Sequence, residues 1–575
     1  MQTRSITATP SRIMVEQLAA SGVKYVFYNS GSREARFFDA LQTHPDIHGI
    51  LALHEGNVAS MAGGYAQAAL EPGVMVVHLG AGLAQCMGQL YNIWLDGLPV
   101  VIITFAGDTG SFADTITLDL DHSVGPTSIA QPMTKASWTV LEPEGLPQAI
   151  ERALRVAMTP PLGPVHLAVY DKLLGDQQVT TDLILGKPAP PRLSPPNPAD
   201  VDTVLQALRG AQKPLLYVGD GIWKRGASSE ATAVAEHFGL PVMANYDENR
   251  AVDRNHALHI GRPGELTGHY QPDVILAVGV THRGQGKPAD LEPFLGADTI
   301  IAVGASGDRF RNLPGLDIAI MADERQFLAA LLAGAQKTSK AANFQGRWQT
   351  TETLAGTLRG RRLEQLNARS QGSGPVPPIA LANAIDRTLA RRGGGQLMVE
   401  QYAVPLDFMD SAHAPGTIKA FRAGGASEGW GIGATIGTKL GAPADPVIGL
   451  VGDGSLYYAD SGLWSAAHHK VPVLYVISNN RAYGVVASAF GGANGSMKQE
   501  GQYSGVVLAT PEPVQIAAAF GLEGRVVADE KELDAALEEG MRIVQEEGKP
   551  YLLDVRLPLG IPAGGQEAIP FHLID

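Results

Sequence analysis

What most constrains this chain is a recurring unit: a short β-branched apolar run, bounded by Gly or Pro, followed by an amphipathic stretch. Val74–His78, Val100–Phe105, Leu215–Val218, Val274–Val278, Ile300–Val303, Val447–Val451 and Val473–Ile477 are such runs. Apolar runs this short, with no polar alternation, read as strands buried on both faces. The helical patterns between them make the strands parallel. A chain built this way folds into doubly wound α/β sheets, and its chemistry belongs in the loops beyond the C-terminal strand ends.

Length and punctuation set the number of such sheets. At roughly 100–200 residues per domain, 575 residues make several domains. Residues 187–198 are dense in Pro and cannot be a helix or a central strand. A second break runs from about Gln336 to Pro378. Three doubly wound parallel-sheet domains are therefore expected, at 1–186, 199–335 and 379–560.

Charge and cysteine usage remove other classes. With 44 basic and 58 acidic residues the net charge is −14, and no Lys/Arg run offers a polyanion a landing site, so nucleic acid is not an expected partner. Cys86 is the only cysteine, which excludes an intrachain disulfide and a multi-thiolate metal centre. No stretch of about 18 apolar residues and no signal core occurs, so the expectation is a soluble, cytoplasmic protein without a membrane partner.

The sharpest loop is Gly452-Asp453-Gly454-Ser455, directly after the run Val447–Val451. The run Val473–Ile477 leads into Ser478-Asn479-Asn480-Arg481-Ala482-Tyr483-Gly484. Asp453 offers a carboxylate oxygen, Asn480 an amide oxygen and Ala482 a backbone carbonyl. With a diphosphate and water these would complete the octahedron of Mg²⁺. Gly452 and Gly454 admit phosphate to the backbone, and Ser455 can donate to it. Gly219-Asp220-Gly221 also follows a strand but lacks a paired Asn at a second strand end, so it reads as an ordinary strand-to-helix turn. His468-His469 reads as solvated or capping, because adjacent helix residues face different ways.

These residues carry a resemblance. Gly452-Asp453-Gly454-Ser455 followed by Asn479-Asn480 resembles the diphosphate–Mg²⁺ motif of thiamine diphosphate (ThDP) enzymes. His54-Glu55-Gly56-Asn57 with Ala62-Gly63-Gly64-Tyr65-Ala66-Gln67 resembles the catalytic-glutamate helix of that family. Gly80-Ala81-Gly82 and Asp96-Gly97-Leu98-Pro99-Val100 continue the match. The chain is thereby similar to the 2-oxo acid decarboxylase and acetolactate synthase-like group. Asn29-Ser30-Gly31-Ser32, His78 and Met87-Gly88-Gln89-Leu90-Tyr91-Asn92-Ile93-Trp94 place it closest in pattern to benzoylformate decarboxylase. The implied order is pyrimidine-binding, central and diphosphate-binding domain.

The resemblance implies roles. Glu55, as a buried carboxylate of raised pKa, would hydrogen-bond the aminopyrimidine so that the ring can take the thiazolium C2 proton. The small residues after Glu55 would admit the cofactor closely. His78, Ser32 and His122 would orient substrate and relay protons, and Gln85 would line the site. Gly452, Asp453, Gly454, Ser455, Asn480, Tyr483 and Glu428 would contact cofactor, with Asp453, Asn480 and Ala482 on the metal. The implied reaction is non-oxidative decarboxylation of a 2-oxo acid, possibly with carboligation. An acyloin-forming carboligase or lyase, or a C–C bond hydrolase, is the alternative. An oxidase would need FAD, and the Gly219–Trp223 turn has no dinucleotide fingerprint. A non-catalytic paralogue conflicts with the presence of Glu55, Asp453 and Asn480. A homodimer or homotetramer with sites shared between subunits is implied as well. Three positions depart from the pattern. Gly63 replaces an Asp, Gly80-Ala81-Gly82 lacks a central Pro, and Glu428 stands where relatives carry an apolar residue that wedges the cofactor.

Overall fold

A computed structural model describes the chain except residues 107–124, 246–249, 264–267, 282–287, 338–342, 509–511, 559–560 and 564–566 and some single or paired positions, mostly towards the C-terminus. Three six-stranded parallel sheets are present. The first runs His48–Leu51, Tyr25–Tyr28, Gly73–His78, Val100–Ala106, Val165–Tyr170, Ala136–Val140 from edge to edge. The third has the same winding: Ile418–Arg422, Gly395–Glu400, Val447–Gly452, Leu474–Asn479, Tyr551–Arg556, Glu523–Val527. The central sheet runs His259–Gly261, Val242–Ala244, Pro214–Val218, Val274–Val278, Thr299–Gly304, Ile318–Met321. All seven apolar runs coincide with strands of these sheets to within two residues, and their apolar side chains are buried on both faces. The strand Thr3–Ala8 pairs antiparallel with Val179–Ile184 and ties the first domain's two ends together. No helix among the described residues is long and apolar enough to cross a membrane.

The second break is not unstructured. A 27-residue helix, Asn343–Arg369, occupies most of it. Phe344, Trp348, Thr351, Ala355 and Leu358 form a narrow stripe at spacings of 4, 3, 4 and 3 that packs on the central domain. Apart from Leu354, Leu363 and Leu366 the rest of its surface is mostly polar, which hid the helix in a segment with few apolar residues.

The outer two domains share one hydrophobic core, built where the helix Glu55–Ala69 crosses the helix Gly431–Gly441. The backbones nearly touch. A Cβ on Gly437 would lie 2.0 Å from the Met61 carbonyl oxygen, and one on Gly64 2.2 Å from that of Ala434. The Ala/Gly run after Glu55 therefore serves this helix crossing within the chain, not the approach of a cofactor. Gly63 has its own reason: a Cβ there would lie 2.1 Å from the ring of Trp430, which is fully buried. The three domains also meet at Arg250. Its guanidinium lies 4.0 Å from the Trp223 ring centre and 3.9 Å from that of Phe421, and it donates to the Gln67 carbonyl at 3.1 Å.

Candidate active site

In both outer sheets strand order reverses beside the second-laid central strand, the place where such folds bind ligands. In the third domain a cavity of about 530 Å³ opens there. Its lining includes Gln401, Tyr402, Glu428, Gly452, Asp453, Gly454, Ser455, Tyr458, Asn480, Ala482 and Tyr483. The strand Val447–Gly452 delivers Asp453 as the first residue of the helix Asp453–Ala459, and Leu474–Asn479 delivers Asn480. Asp453 is 2% exposed, and burial pushes its carboxyl up to about 7 despite backbone N–H groups that favour the anion. Its Oδ2 has no hydrogen-bond partner among the described residues. The Asn480 Oδ1 accepts the Ala482 N–H at 3.2 Å, folding the 480–484 turn, in which Arg481 has φ +59°. Asn479 turns the other way, donating to Asp554 at 2.8 Å.

Two expected anchors behave differently. Ser455 donates to Glu428 Oε2 at 3.0 Å, so its hydroxyl serves a carboxylate and not, in this arrangement, a phosphate. Glu428 is half-buried against the cavity, and burial raises its pKa more than the Ser455 bond lowers it. Behind it stands Glu400, which no motif or spacing in the chain marks out. It is buried at a strand end, accepts the N–H groups of Trp430 at 2.8 Å and Gly431 at 2.5 Å, and is pushed up to about 8 by burial. Among the described residues lining the cavity there is no Lys, Arg or His, while two carboxylates face it. A diphosphate would be repelled there unless a divalent cation came with it. The partnerless Asp453 oxygen and the Asn480 amide form a hard-oxygen donor set that suits Mg²⁺. The residues therefore fit a metal–diphosphate group.

The first domain presents a second cluster. Glu55 opens its helix, with His54 as the cap accepting the Gly56 N–H at 3.0 Å. Glu55 is half-buried in this chain, short of the full burial expected of it. His78 ends its strand beside it: a Cβ on Gly82 would lie 3.1 Å from both Glu55 Oε1 and His78 Cβ. The His78 Nδ1 lies 2.5 Å from Oε1 of Glu34, which is 1% exposed. Sequence reading missed Glu34, although a carboxylate two residues after Ser32 was the available sign. Ser32 and Gln85 are exposed, and His122 lies outside the described residues. His469 is satisfied by the backbone of Leu51, at 2.9 Å from its nitrogen. Asp220 is paired with Lys224 at 2.6 Å, and that lysine also donates to the Asp96 carbonyl.

Residues 9–123 match the N-terminal TPP binding domain of thiamine pyrophosphate enzymes, 201–331 their central domain and 401–555 their C-terminal TPP binding domain. Thiamine pyrophosphate is ThDP by its other name. The chain is 26% identical to the acetolactate synthase isozyme 3 large subunit of Escherichia coli, with 97% of each covered. It is 27% identical to benzoylformate decarboxylase of Pseudomonas aeruginosa, over 94% of this chain and 97% of that one. In fold it is similar to the thiamine diphosphate-dependent 4-hydroxybenzoylformate decarboxylase of Rhodococcus jostii RHA1. There the TM-score is 0.78 at 23% identity, over 96% of this chain and 99% of the other.

Proposed function

The chain belongs to the thiamine pyrophosphate enzyme family, and from that premise we propose that it decarboxylates a 2-oxo acid without oxidation, using ThDP and Mg²⁺, with carboligation as a companion activity. The observation that carries this reading is the buried, partnerless Asp453 oxygen beside Asn480 in a cavity with no lining cation among the described residues. Asp453, Asn480 and the Ala482 carbonyl would hold Mg²⁺. Gly452 and Gly454 would admit the diphosphate, and Tyr483 and Glu428 would border the cofactor. Bound ThDP would supply a carbon nucleophile and a sink for the electron pair that departing CO₂ leaves behind. Glu55 then holds and exchanges a proton at the aminopyrimidine. His78, kept in place by Glu34, orients the substrate, with Ser32 and His122 as further polar contacts.

The described cavity lining comes from residues 401–488 alone, and Glu55 and His78 belong to another domain. Exposed apolar side chains accompany both clusters: Leu53, two residues before Glu55, on the first domain, and Tyr402, Tyr458, Val485 and Val486 along the cavity of the third. Apolar surface of this kind calls for a cover. A second chain, setting its Glu55 over this chain's Asp453, would provide one, in a homodimer or a pair of dimers. Glu428 favours a second reading on the same cofactor. A carboxylate in the cavity repels an anionic 2-oxo acid and can accept a proton. Both properties suit a carboligase, or a C–C lyase or hydrolase acting on a neutral diketone.

The test is CO₂ release from a panel of aryl and aliphatic 2-oxo acids, with and without ThDP and Mg²⁺. Parallel arms with aldehyde acceptors and 1,2-diketones complete it. ThDP-dependent CO₂ release supports the first reading, and turnover confined to the neutral substrates supports the second. No ThDP-dependent turnover in any arm would count against both.

A further inference from the structure

We propose that the helix Met87–Asp96 is a positioning element for the cavity of its own chain, with Gln89 and Asn92 holding the loop that carries Glu428. The inference rests on the cofactor reading above and assigns a task to side chains that reading leaves unused. Gln89, Asn92 and Asp96 follow one another at i, i+3 and i+7, so they share one helix face. That face is turned toward residues 424–428 of the third domain. The Gly424 N–H donates to Asp96 Oδ2 at 2.9 Å. Asn92 makes a two-way bridge: its Nδ2 donates to the Ser427 carbonyl at 2.8 Å, and its Oδ1 accepts the Ser427 N–H at 3.2 Å. Gln89 Nε2 donates to the Glu428 carbonyl at 2.7 Å, and its Oε1 accepts from Asn92 at 2.8 Å.

Asn92 and Gln89 are both buried, so removing the loop would strand several polar groups away from water. The contact is close, and closest at Gly425. A Cβ on Gly425 would lie 2.5 Å from Asn92 Oδ1, and one on Gly88 2.8 Å from Ser427 Oγ. Immediately beyond, Gly429 takes φ +95°, and Glu400 holds the next two N–H groups. Glu428 is thereby tied at both ends, its carbonyl by Gln89 and its carboxylate by Ser455. A loop without regular structure is fixed by side chains from three other elements, and one of them belongs to the first domain. In the proposed assembly each first domain would then serve two sites: one across the interface through Glu55, and one in its own chain through Asn92 and Gln89.

The experiment compares Asn92→Ala and Gln89→Leu, each with and without Glu428→Leu, in the full-length protein. Amide hydrogen exchange without cofactor should speed up about tenfold or more over residues 424–431 in both single variants, the scale of one buried hydrogen bond lost. Exchange in the strand Val447–Gly452 should stay unchanged. Calorimetry with ThDP and Mg²⁺ should show weaker binding in each single variant. Most of that loss should vanish in the Glu428→Leu background, where no carboxylate is left to position. A helix that merely stabilises the fold would weaken binding equally in both backgrounds. Unchanged exchange over 424–431, or costs that simply add, would overturn the proposal. Failure of the unaltered protein to bind ThDP would instead count against the cofactor reading, and the exchange measurement would still judge this one.

Discussion

Asp453 and Asp220 stand in the same three-residue turn, Gly-Asp-Gly after a parallel strand, and differ in what faces them. A lysine neutralises Asp220, whereas an oxygen of Asp453 meets no partner among the described residues. Asp453→Ala and Asn480→Ala should each weaken ThDP binding in the presence of Mg²⁺ by at least about a hundredfold, the scale of losing a hard-oxygen ligand. Asp220→Ala should leave that affinity within a few-fold. Calorimetry on the three variants checks this, and loss of affinity in Asp220→Ala would mean the metal site has been placed in the wrong turn. The two glutamates separate in the same manner. Glu55→Gln keeps the size of the side chain but cannot share a proton. Hydrogen–deuterium exchange at C2 of bound ThDP should slow by about 10²–10⁴. Glu428→Leu restores an apolar side chain and should preserve that exchange while changing turnover. Exchange abolished in Glu428→Leu would give Glu428 the proton-handling task assigned to Glu55.

Between elements, the crossing of Glu55–Ala69 with Gly431–Gly441 holds the tightest glycine contact among the described residues. The atoms that a new Cβ would meet are backbone atoms, which cannot rotate away. Gly437→Ala should cost about 1–3 kcal/mol, the usual range for overpacking a close-packed interior, read from a denaturant titration. An unchanged transition midpoint would show that the two helices separate easily. This crossing also marks the limit of what the sequence disclosed. The strands were legible because each is a short local run, and Asp453 with Asn480 because both follow such runs. The partner of the Ala/Gly run lies some 370 residues away, so the run looked like room for a ligand. Glu34 and His78 are 44 residues apart and pair only once two strand ends are neighbours. Glu400 and Asn92 are polar residues within apolar or amphipathic surroundings, and nothing local says what faces them. The helix Asn343–Arg369 was hidden by the narrowness of its apolar stripe.

Across the whole molecule, the central and third domains are joined by a buried histidine. His413 lies 2.6 Å from Asp386 through Nδ1 and 3.0 Å from Asp253 through Nε2, and Asp253 also accepts the Gly416 N–H at 2.7 Å. Burial alone would lower the His413 pKa, but its bonds to the two carboxylates and their charges push it up to about 9. A raised histidine pKa stabilises the folded form fully below the unfolded value near 6.5, and that stabilisation is lost as pH rises through about 9. The joint should therefore lose up to about 3 kcal/mol between neutral and alkaline pH. Thermal midpoints measured from pH 7 to pH 10 should fall more steeply in the native protein than in His413→Gln, and parallel profiles would rule out a charged joint. The proposed active site needs two chains, with Glu55 of one over Asp453 of the other. Glu55→Ala and Asp453→Ala proteins, each inactive alone, should be mixed, dissociated and reassembled. With two-fold symmetry, half the dimers are hybrids and each hybrid has one intact site, so activity should return to about a quarter of the unaltered level. No recovery in hybrids shown to have reassembled would mean that each chain builds its site alone.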